Sequence, residues 1–298
     1  MIPADRPLKP VLRFAPSPNG LLHLGHARSA LMNGDFAAAR GGAFLLRIED
    51  IDKARCRPEF ERAIEEDLAW LGLSWPKPPR RQSEHFDAYR DALDELRRLG
   101  LVYPAFLSRS AITARIRVSE ADGTRWPRDP DGAPLYPGEE RDMAESERQA
   151  LIASGAPFAW RLDMTRAMQG IHAPLSWIEA GETGGDGAPE PADPALWGDV
   201  ILGRRDTPTS YHLSVTLDDD LQGITDVIRG RDLFAATSVH RLLQHLLGLR
   251  QPTYRHHALI TDPAGRKLSK SDGDTALQSL REGGATPVDI RRMAGLDG

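Results

Sequence analysis

The chain has 298 residues, of which 40% are hydrophobic and 27% charged, proportions that are ordinary for a globular protein large enough to bury a full core. The net charge of −5 argues against tight non-specific nucleic-acid binding, although a local basic face is enough for an RNA partner. Cys56 is the only cysteine, which excludes an intrachain disulfide and a cysteine zinc cluster. Because no apolar run reaches the ~20 residues of a membrane span and the N-terminus lacks a signal peptide's apolar stretch, we expect a cytoplasmic location and no membrane partner.

The first part of the chain alternates predicted strands and helices. Apolar runs predict strands at residues 11–14 and 43–48, and a periodic stretch between them predicts a helix at 26–40. A strand, a helix and a second strand within about fifty residues form a βαβ unit, which implies a parallel sheet. Two more helices are predicted at 58–71 and 85–99.

Proline and glycine become frequent between residues 103 and 196, which predicts an inserted subdomain with long surface loops. Beyond it the apolar pattern predicts strands at 197–202, 211–217 and 224–230 and a helix at 234–247. The predicted α/β domain has two halves, residues 1–102 and 197–250. The insert comprises residues 103–196, and a C-terminal segment with a lysine-containing loop comprises residues 251–298.

Two histidines and a glycine follow the first strand at the predicted start of a helix. His23 and His26 are three residues apart and share one helical face, while Gly25 lets a ligand approach the backbone. The N-terminus of a helix favours phosphate, and ligands of such sheets bind where strands end. In an isolated pattern of this kind, the two histidines would more often have a purely structural role. The preceding strand and proline-rich turn favour a phosphate site instead.

Lys267 and Lys270 lie in one short loop, although the whole chain has only five lysines. Ammonium groups on such a loop can neutralise charge on a transferring or leaving phosphate. The alternative is a solvated basic loop, which the scarcity of lysine elsewhere makes less favourable. Together with the histidines, this loop predicts an enzyme that activates a carboxylate with ATP.

Three further charged residues are candidates for substrate binding. Arg13 and Arg229 lie in apolar strand contexts, where an arginine is costly to bury unless it is paired, and either could bind a carboxylate in bidentate geometry. Glu49 follows a predicted strand within an acidic cluster. It could bind an ammonium group, hold a metal or cap a helix.

These segments together resemble the class I aminoacyl-tRNA synthetases and, within them, the glutamyl branch. The match covers most of the chain, is weakest over the insert, and is carried by residues 13–18, 23–26, 46–52, 69–73, 211–213, 223–230 and 266–271. The resemblance implies a Rossmann-like parallel sheet with an inserted acceptor-type subdomain and a short helical C-terminus.

The resemblance also implies roles for individual residues. It assigns glutamate binding to six positions: Arg13, Ala15, Ser17, Glu49, Tyr211 and Arg229. Among these, Glu49 would bind the amino group. It assigns ATP binding and catalysis to a second set: His23, Gly25, His26 and Lys270, with Lys267 as a contributor. Magnesium is expected on the ATP phosphates.

Only residues 272–298 follow the lysine loop, which is too few for the helical anticodon-binding region of a glutamyl-tRNA synthetase. We therefore expect membership of the glutamyl-Q tRNA(Asp) synthetase family, whose members attach glutamate to the queuosine base in the anticodon of tRNA(Asp). The expected partners are L-glutamate, ATP and tRNA(Asp) carrying queuosine, and a monomer is the simplest expectation. The alternatives are a truncated glutamyl-tRNA synthetase, a small-molecule carboxylate ligase or nucleotidyltransferase, and a non-catalytic paralogue.

Many members of this family carry a zinc knuckle of cysteines and a tyrosine in the insert, and this chain departs from that pattern. Ala105 and Leu107 occupy the first two cysteine positions, Tyr136 the tyrosine position and Glu140 the last cysteine position. Because two side chains cannot form a closed four-ligand site, we expect no zinc, and an insert held by packing alone.

Overall fold

A computed structural model describes residues 9–182, 185–261 and 276–296. The strands are β1 Val11–Phe14, β2 Ala43–Ile48, β3 Arg80–Arg81, β4 Val102–Ala105, β5 Ala159–Leu162, β6 Ser176–Glu179, β7 Ala188–Pro191, β8 Ile201–Arg204, β9 Asp226–Gly230 and β10 Thr253–His257. The helices are α1 Leu24–Ala39, α2 Pro58–Trp70, α3 Phe86–Arg98, α4 Arg109–Ala121, α5 Glu145–Ala153, α6 Met164–Gln169, α7 Tyr211–Leu221, α8 Thr237–Leu247, α9 Leu277–Glu282 and α10 Pro287–Met293.

Parallel strands form the centre of the structure. β1, β2 and β3 pair in parallel, and so do β9, β10 and β6, with β7 antiparallel at the edge. The two sets meet where the Thr225 N–H donates to the Val11 carbonyl at 3.0 Å. The predicted α/β fold with a parallel sheet is confirmed.

β4, β5 and β8 form a separate antiparallel sheet. Only part of this sheet comes from the predicted insert. β6 and β7 fall inside the insert range of 103–196, yet they belong to the sheet of β9 and β10. β8 falls outside that range, yet it pairs with β5. Strand pairing therefore crosses the predicted boundary at residue 196.

The strand predicted at 211–217 is wrong, because these residues begin α7. The Ser210 hydroxyl accepts a hydrogen bond from the Leu213 N–H at 3.4 Å and caps the N-terminus of the helix. Residues 213–216 are all buried, so a helix packed on several sides produces no amphipathic period in the sequence. The strand predicted at 197–202 is confirmed only at its end, since β8 begins at Ile201.

Two large apolar clusters hold the site in place. One lies between α1 and the parallel sheet and includes Leu12 and Leu31, while the other surrounds α7 and α8 and includes Leu213 and Leu242. These clusters fix the ends of β1 and β9 relative to α1 and α7. Within the described ranges, no helix has the length and apolar character needed to cross a membrane.

Candidate active site

A cavity of about 380 Å³ opens where β1, β2 and β9 end. It brings together every predicted site residue that the structure describes: Arg13, Ala15, Ser17, His23, Gly25, His26, Glu49, Tyr211 and Arg229. Lys267 and Lys270 lie outside the described residues. The cavity thus combines charged groups of both signs with the start of a helix.

His23 and His26 cap the N-terminus of α1. The Gly25 N–H donates to Nδ1 of His23 at 3.1 Å, and the His23 N–H donates to Nδ1 of His26 at 3.2 Å. Because both Nδ1 atoms are acceptors, each neutral ring carries its hydrogen on Nε2, where it can donate to an anion. A Cβ atom at Gly25 would lie 3.0 Å from Cε1 of His23, so glycine also makes room for this ring.

Asp219 holds two arginines at the base of the cavity. Arg13 donates to its carboxylate through Nε at 2.9 Å and Nη2 at 3.3 Å, and Arg47 donates through Nη1 at 2.7 Å. Burial alone would raise the pKa of Asp219, but the two guanidinium groups outweigh burial and lower it. Asp219 therefore stays ionised and fixes Arg13, whose Nη1 makes no hydrogen bond within the described part of the chain.

Arg47 also positions Glu49, to which its Nη2 donates at 3.1 Å. Burial raises the pKa of Glu49, and the attraction of Arg47 and Arg13 offsets only part of that rise. A cationic ligand group beside Glu49 would therefore relieve an unfavourable buried charge. Sequence reasoning missed Arg47 and Asp219, although Arg47 lies in an apolar strand as Arg13 does.

Arg229 is held from three sides. Its Nε donates to Nε2 of His256 at 3.1 Å, its Nη1 to Nδ1 of His240 at 3.2 Å, and its Nη2 to Oγ1 of Thr237 at 2.7 Å and to the Leu233 carbonyl at 3.2 Å. A guanidinium group has five N–H hydrogens, so these four bonds leave one on Nη1. That hydrogen is the one that Arg229 can offer to a ligand in the cavity.

The histidines around Arg229 are neutral. Burial, followed by repulsion from Arg229, lowers the pKa of His240 well below its ordinary value. Burial also lowers the pKa of His256, although Nδ1 of His256 lies 2.8 Å from the carboxylate of Glu179. Arg229 therefore carries the only positive charge of this group.

A second cavity, of about 790 Å³, adjoins the first, and Ser17, Glu49 and Tyr211 line both. Burial raises the pKa of Tyr211 to about 12, so the wall between the cavities carries a neutral phenol. The larger cavity also contacts Tyr136 and Arg161 of the insert. The two cavities therefore share the part of their walls that Ser17, Glu49 and Tyr211 form.

The catalytic-domain model of the tRNA synthetases class I (E and Q) matches residues 9–298. The chain belongs to this family. A glutamyl-Q tRNA(Asp) synthetase from Rhodobacter capsulatus is 46% identical over 290 residues, which cover 96% of this chain and 100% of that protein. This similarity places the synthetase among the aminoacyl-tRNA ligases, enzymes that use ATP.

Longer relatives share the same region. A glutamate–tRNA ligase from Xanthobacter autotrophicus is 36% identical over 98% of the synthetase and 59% of its own length. The crystal structure of a glutamate–tRNA synthetase from Elizabethkingia anophelis superposes with a TM-score of 0.78 at 29% identity, over 96% of the synthetase and 61% of that chain. The synthetase thus spans about 60% of these two proteins.

In the inserted region of the synthetase, Glu140 connects the chain segments that the zinc pattern would join. Its Oε1 accepts hydrogen bonds from the backbone N–H groups of Phe106 at 3.0 Å and Leu107 at 3.1 Å, and its two oxygens lie 2.7 and 2.8 Å from the Tyr136 hydroxyl. Since Ala105 and Leu107 offer no ligand atom, the residues present do not fit a zinc ion. The expectation that packing alone holds the insert is wrong, because this buried carboxylate contributes.

Proposed function

We propose that the synthetase activates L-glutamate with ATP and transfers the glutamyl group to the queuosine base of tRNA(Asp). One observation supports the activation of glutamate with ATP. A single cavity places Arg13, Arg229 and Glu49 beside the start of α1, where His23 and His26 lie. The transfer to queuosine is supported by the Rhodobacter capsulatus relative, whose whole length the synthetase matches.

The charges of the cavity match those of glutamate. Arg13 and Arg229 are suited to its two carboxylates, and Glu49 to its ammonium group. Ala15, Ser17 and the neutral phenol of Tyr211 complete the wall around the amino acid. A neutral amide in place of the side-chain carboxylate would leave one of the two arginines facing an uncharged ligand group, which favours glutamate over glutamine.

In the first step a glutamate carboxylate oxygen attacks the α-phosphorus of ATP. A phosphorus–oxygen bond to that carboxylate forms, and the bond to pyrophosphate breaks. The Nε2 hydrogens of His23 and His26, with Lys267 and Lys270, are proposed to stabilise the negative charge that builds up on the phosphates. We expect Mg²⁺ to bind the phosphate oxygens, which are the hard ligands it prefers; the described residues include no cluster of three or more His, Cys, Asp or Glu able to hold a metal ion.

In the second step a hydroxyl group of the queuosine ring attacks the carbonyl carbon of glutamyl-adenylate. A new carbon–oxygen bond forms, the bond from that carbon to the phosphate oxygen breaks, and AMP leaves with the electron pair. The hydroxyl proton is released. Because the second cavity meets the first at Ser17, Glu49 and Tyr211, we propose that the acceptor enters through it.

The test measures both steps with purified protein. We expect glutamate-dependent exchange of pyrophosphate into ATP without tRNA, followed by glutamate transfer to tRNA(Asp) that carries queuosine and none to tRNA(Asp) that lacks it. No exchange without tRNA would count against the proposal. Charging of a tRNA 3′ end would instead favour glutamyl-tRNA ligase activity, the second candidate, which the similarity to the Xanthobacter autotrophicus ligase supports.

A further inference from the structure

His212 lies at the junction of two features described above. It follows Tyr211 in α7 and lines the second cavity. Its Nδ1 lies 3.2 Å from Nε2 of His240, the histidine of α8 to which Arg229 donates. His240 is only 2% exposed, so the Nδ1 edge of the His212 ring faces the protein interior.

Arg229 fixes the direction of every hydrogen bond in this chain of rings. A guanidinium group only donates, so Nδ1 of His240 must be an acceptor. The neutral ring of His240 then carries its hydrogen on Nε2 and donates it to Nδ1 of His212. Burial, with a further contribution from Arg229, lowers the pKa of His212 to about 4, so this ring is neutral too. Its own hydrogen must therefore reside on Nε2.

The Nε2 atom of His212 is the one ring nitrogen of the group for which the described residues provide no hydrogen-bond partner. The buried polar atoms without a hydrogen-bond partner do not include this Nε2, so it is accessible from the cavity. A ring that lines a cavity with a fixed N–H donor favours a ligand atom that accepts a hydrogen bond.

We propose that Nε2–H of His212 donates a hydrogen bond to an oxygen atom of the acceptor substrate, and that Arg229 sets this polarity through His240. The inference rests on the proposed function, because it concerns the acceptor of the transfer step. It assigns His212 to acceptor binding, whereas Arg229 serves glutamate in the first cavity. His240 is a positioning residue that connects the two.

The same arrangement of hydrogens excludes a role for His212 as a general base. Nε2 carries a hydrogen and Nδ1 accepts one from His240, so neither nitrogen has a lone pair for the proton of the attacking hydroxyl. His212 orients the acceptor and is no general base. The fitting acceptor is one with an oxygen lone pair beside its nucleophilic hydroxyl, as in a ring that bears two hydroxyl groups.

The first experiment observes the hydrogen directly. In protein labelled with ¹⁵N-histidine, the His212 signals are assigned by their absence in His212→Phe. At pH 7 we expect a neutral ring with its hydrogen on Nε2. A hydrogen on Nδ1, or a charged ring, would overturn the proposal whatever the enzyme's activity.

The second experiment separates the two reaction steps. His212→Phe removes the donor, whereas His212→Gln keeps an N–H group at a similar distance from the backbone. We expect the ratio of glutamate transfer to pyrophosphate exchange to fall about ten- to a hundredfold in His212→Phe, mainly through the KM of the tRNA, and to recover in large part in His212→Gln. Exchange activity shows that each variant is folded.

His245→Gln is the matched control, because His245 is an exposed histidine of α8 that lines neither cavity. A ratio in His212→Phe within twofold of the control, or equal losses in the phenylalanine and glutamine variants, would overturn the inference. Absence of glutamate-dependent exchange in the unaltered enzyme would refute the proposed function instead.

Discussion

Replacing Glu140 with alanine tests whether one buried carboxylate holds the inserted region together. Glu140 is 5% exposed, and its carboxylate accepts hydrogen bonds from two backbone N–H groups and from the Tyr136 hydroxyl. A hydrogen bond to a charged group contributes roughly 1.5–3 kcal/mol, and leaving its partner buried and unpaired costs a similar amount. Because these bonds share one acceptor and are not additive, we expect Glu140→Ala to cost about 3–5 kcal/mol, a large part of a typical free energy of unfolding of about 5–15 kcal/mol.

Two further variants make the comparison specific. In Glu140→Gln the amide oxygen still accepts from the backbone N–H groups and the amide nitrogen donates to Tyr136, so we expect a cost of about 1 kcal/mol. Glu139→Ala removes the neighbouring carboxylate, which forms an exposed ion pair with Arg115, and should leave the unfolding midpoint unchanged.

Urea unfolding at 25 °C gives these free energies, and the exchange assay shows whether the first cavity survives in each variant. A loss below 1 kcal/mol in Glu140→Ala, or equal losses in the alanine and glutamine variants, would refute the reasoning. Dialysis of the unaltered enzyme against a chelator should not move its midpoint. One bound equivalent of zinc in the purified protein would contradict the prediction that the insert needs none.

Three other predictions concern charged residues. Lys270→Ala should slow adenylate formation more than it weakens glutamate binding, and Arg229→Ala should mainly raise the KM for glutamate; equal effects in exchange kinetics would argue against separate roles. Because the pKa of Glu49 is raised by burial, the KM for glutamate should rise as the pH falls through that raised pKa, and Glu49→Gln should abolish this dependence at the cost of a uniformly high KM. Asp67 is 0% exposed, and burial raises its pKa to about 6. The protonated carboxyl group therefore stabilises the folded state most below about pH 4, and this contribution is lost as the pH rises to about 6. This pKa shift corresponds to about 3 kcal/mol in the free energy of unfolding. In urea unfolding, Asp67→Asn should therefore be more stable than the unaltered protein at pH 7 and lose this advantage at pH 4.

The elements that the sequence predicts best are those fixed by local patterns. β1 and β2 have the predicted bounds, and α2 and α3 end within one residue of them, because their apolar periods and end signals lie inside each segment. The nine described residues that the resemblance assigned to the site meet in one cavity.

What the sequence did not reveal depends on contacts between distant segments. Asp219 lies 206 positions from Arg13, so nothing near either residue indicates their pairing. The helical state of residues 211–217 follows from burial on several sides, which is a tertiary property. The contacts of Glu140 with Phe106 and Leu107 join segments 33 or 34 positions apart and became visible only in the folded chain.

The histidines around Arg229 also differ from most histidines in their response to acidity. Histidine is the side chain that ordinarily gains a proton near neutral pH, yet burial holds the pKa values of His212, His240 and His256 below their usual range. Because an arginine that never loses its charge sets their orientation, these rings keep the same donors and acceptors throughout the neutral range. Glu49, which lines both cavities, is the group whose protonation changes glutamate binding. The proposed hydrogen bond from His212 to the acceptor should therefore keep its strength throughout the neutral range, while the KM for glutamate rises as the pH falls.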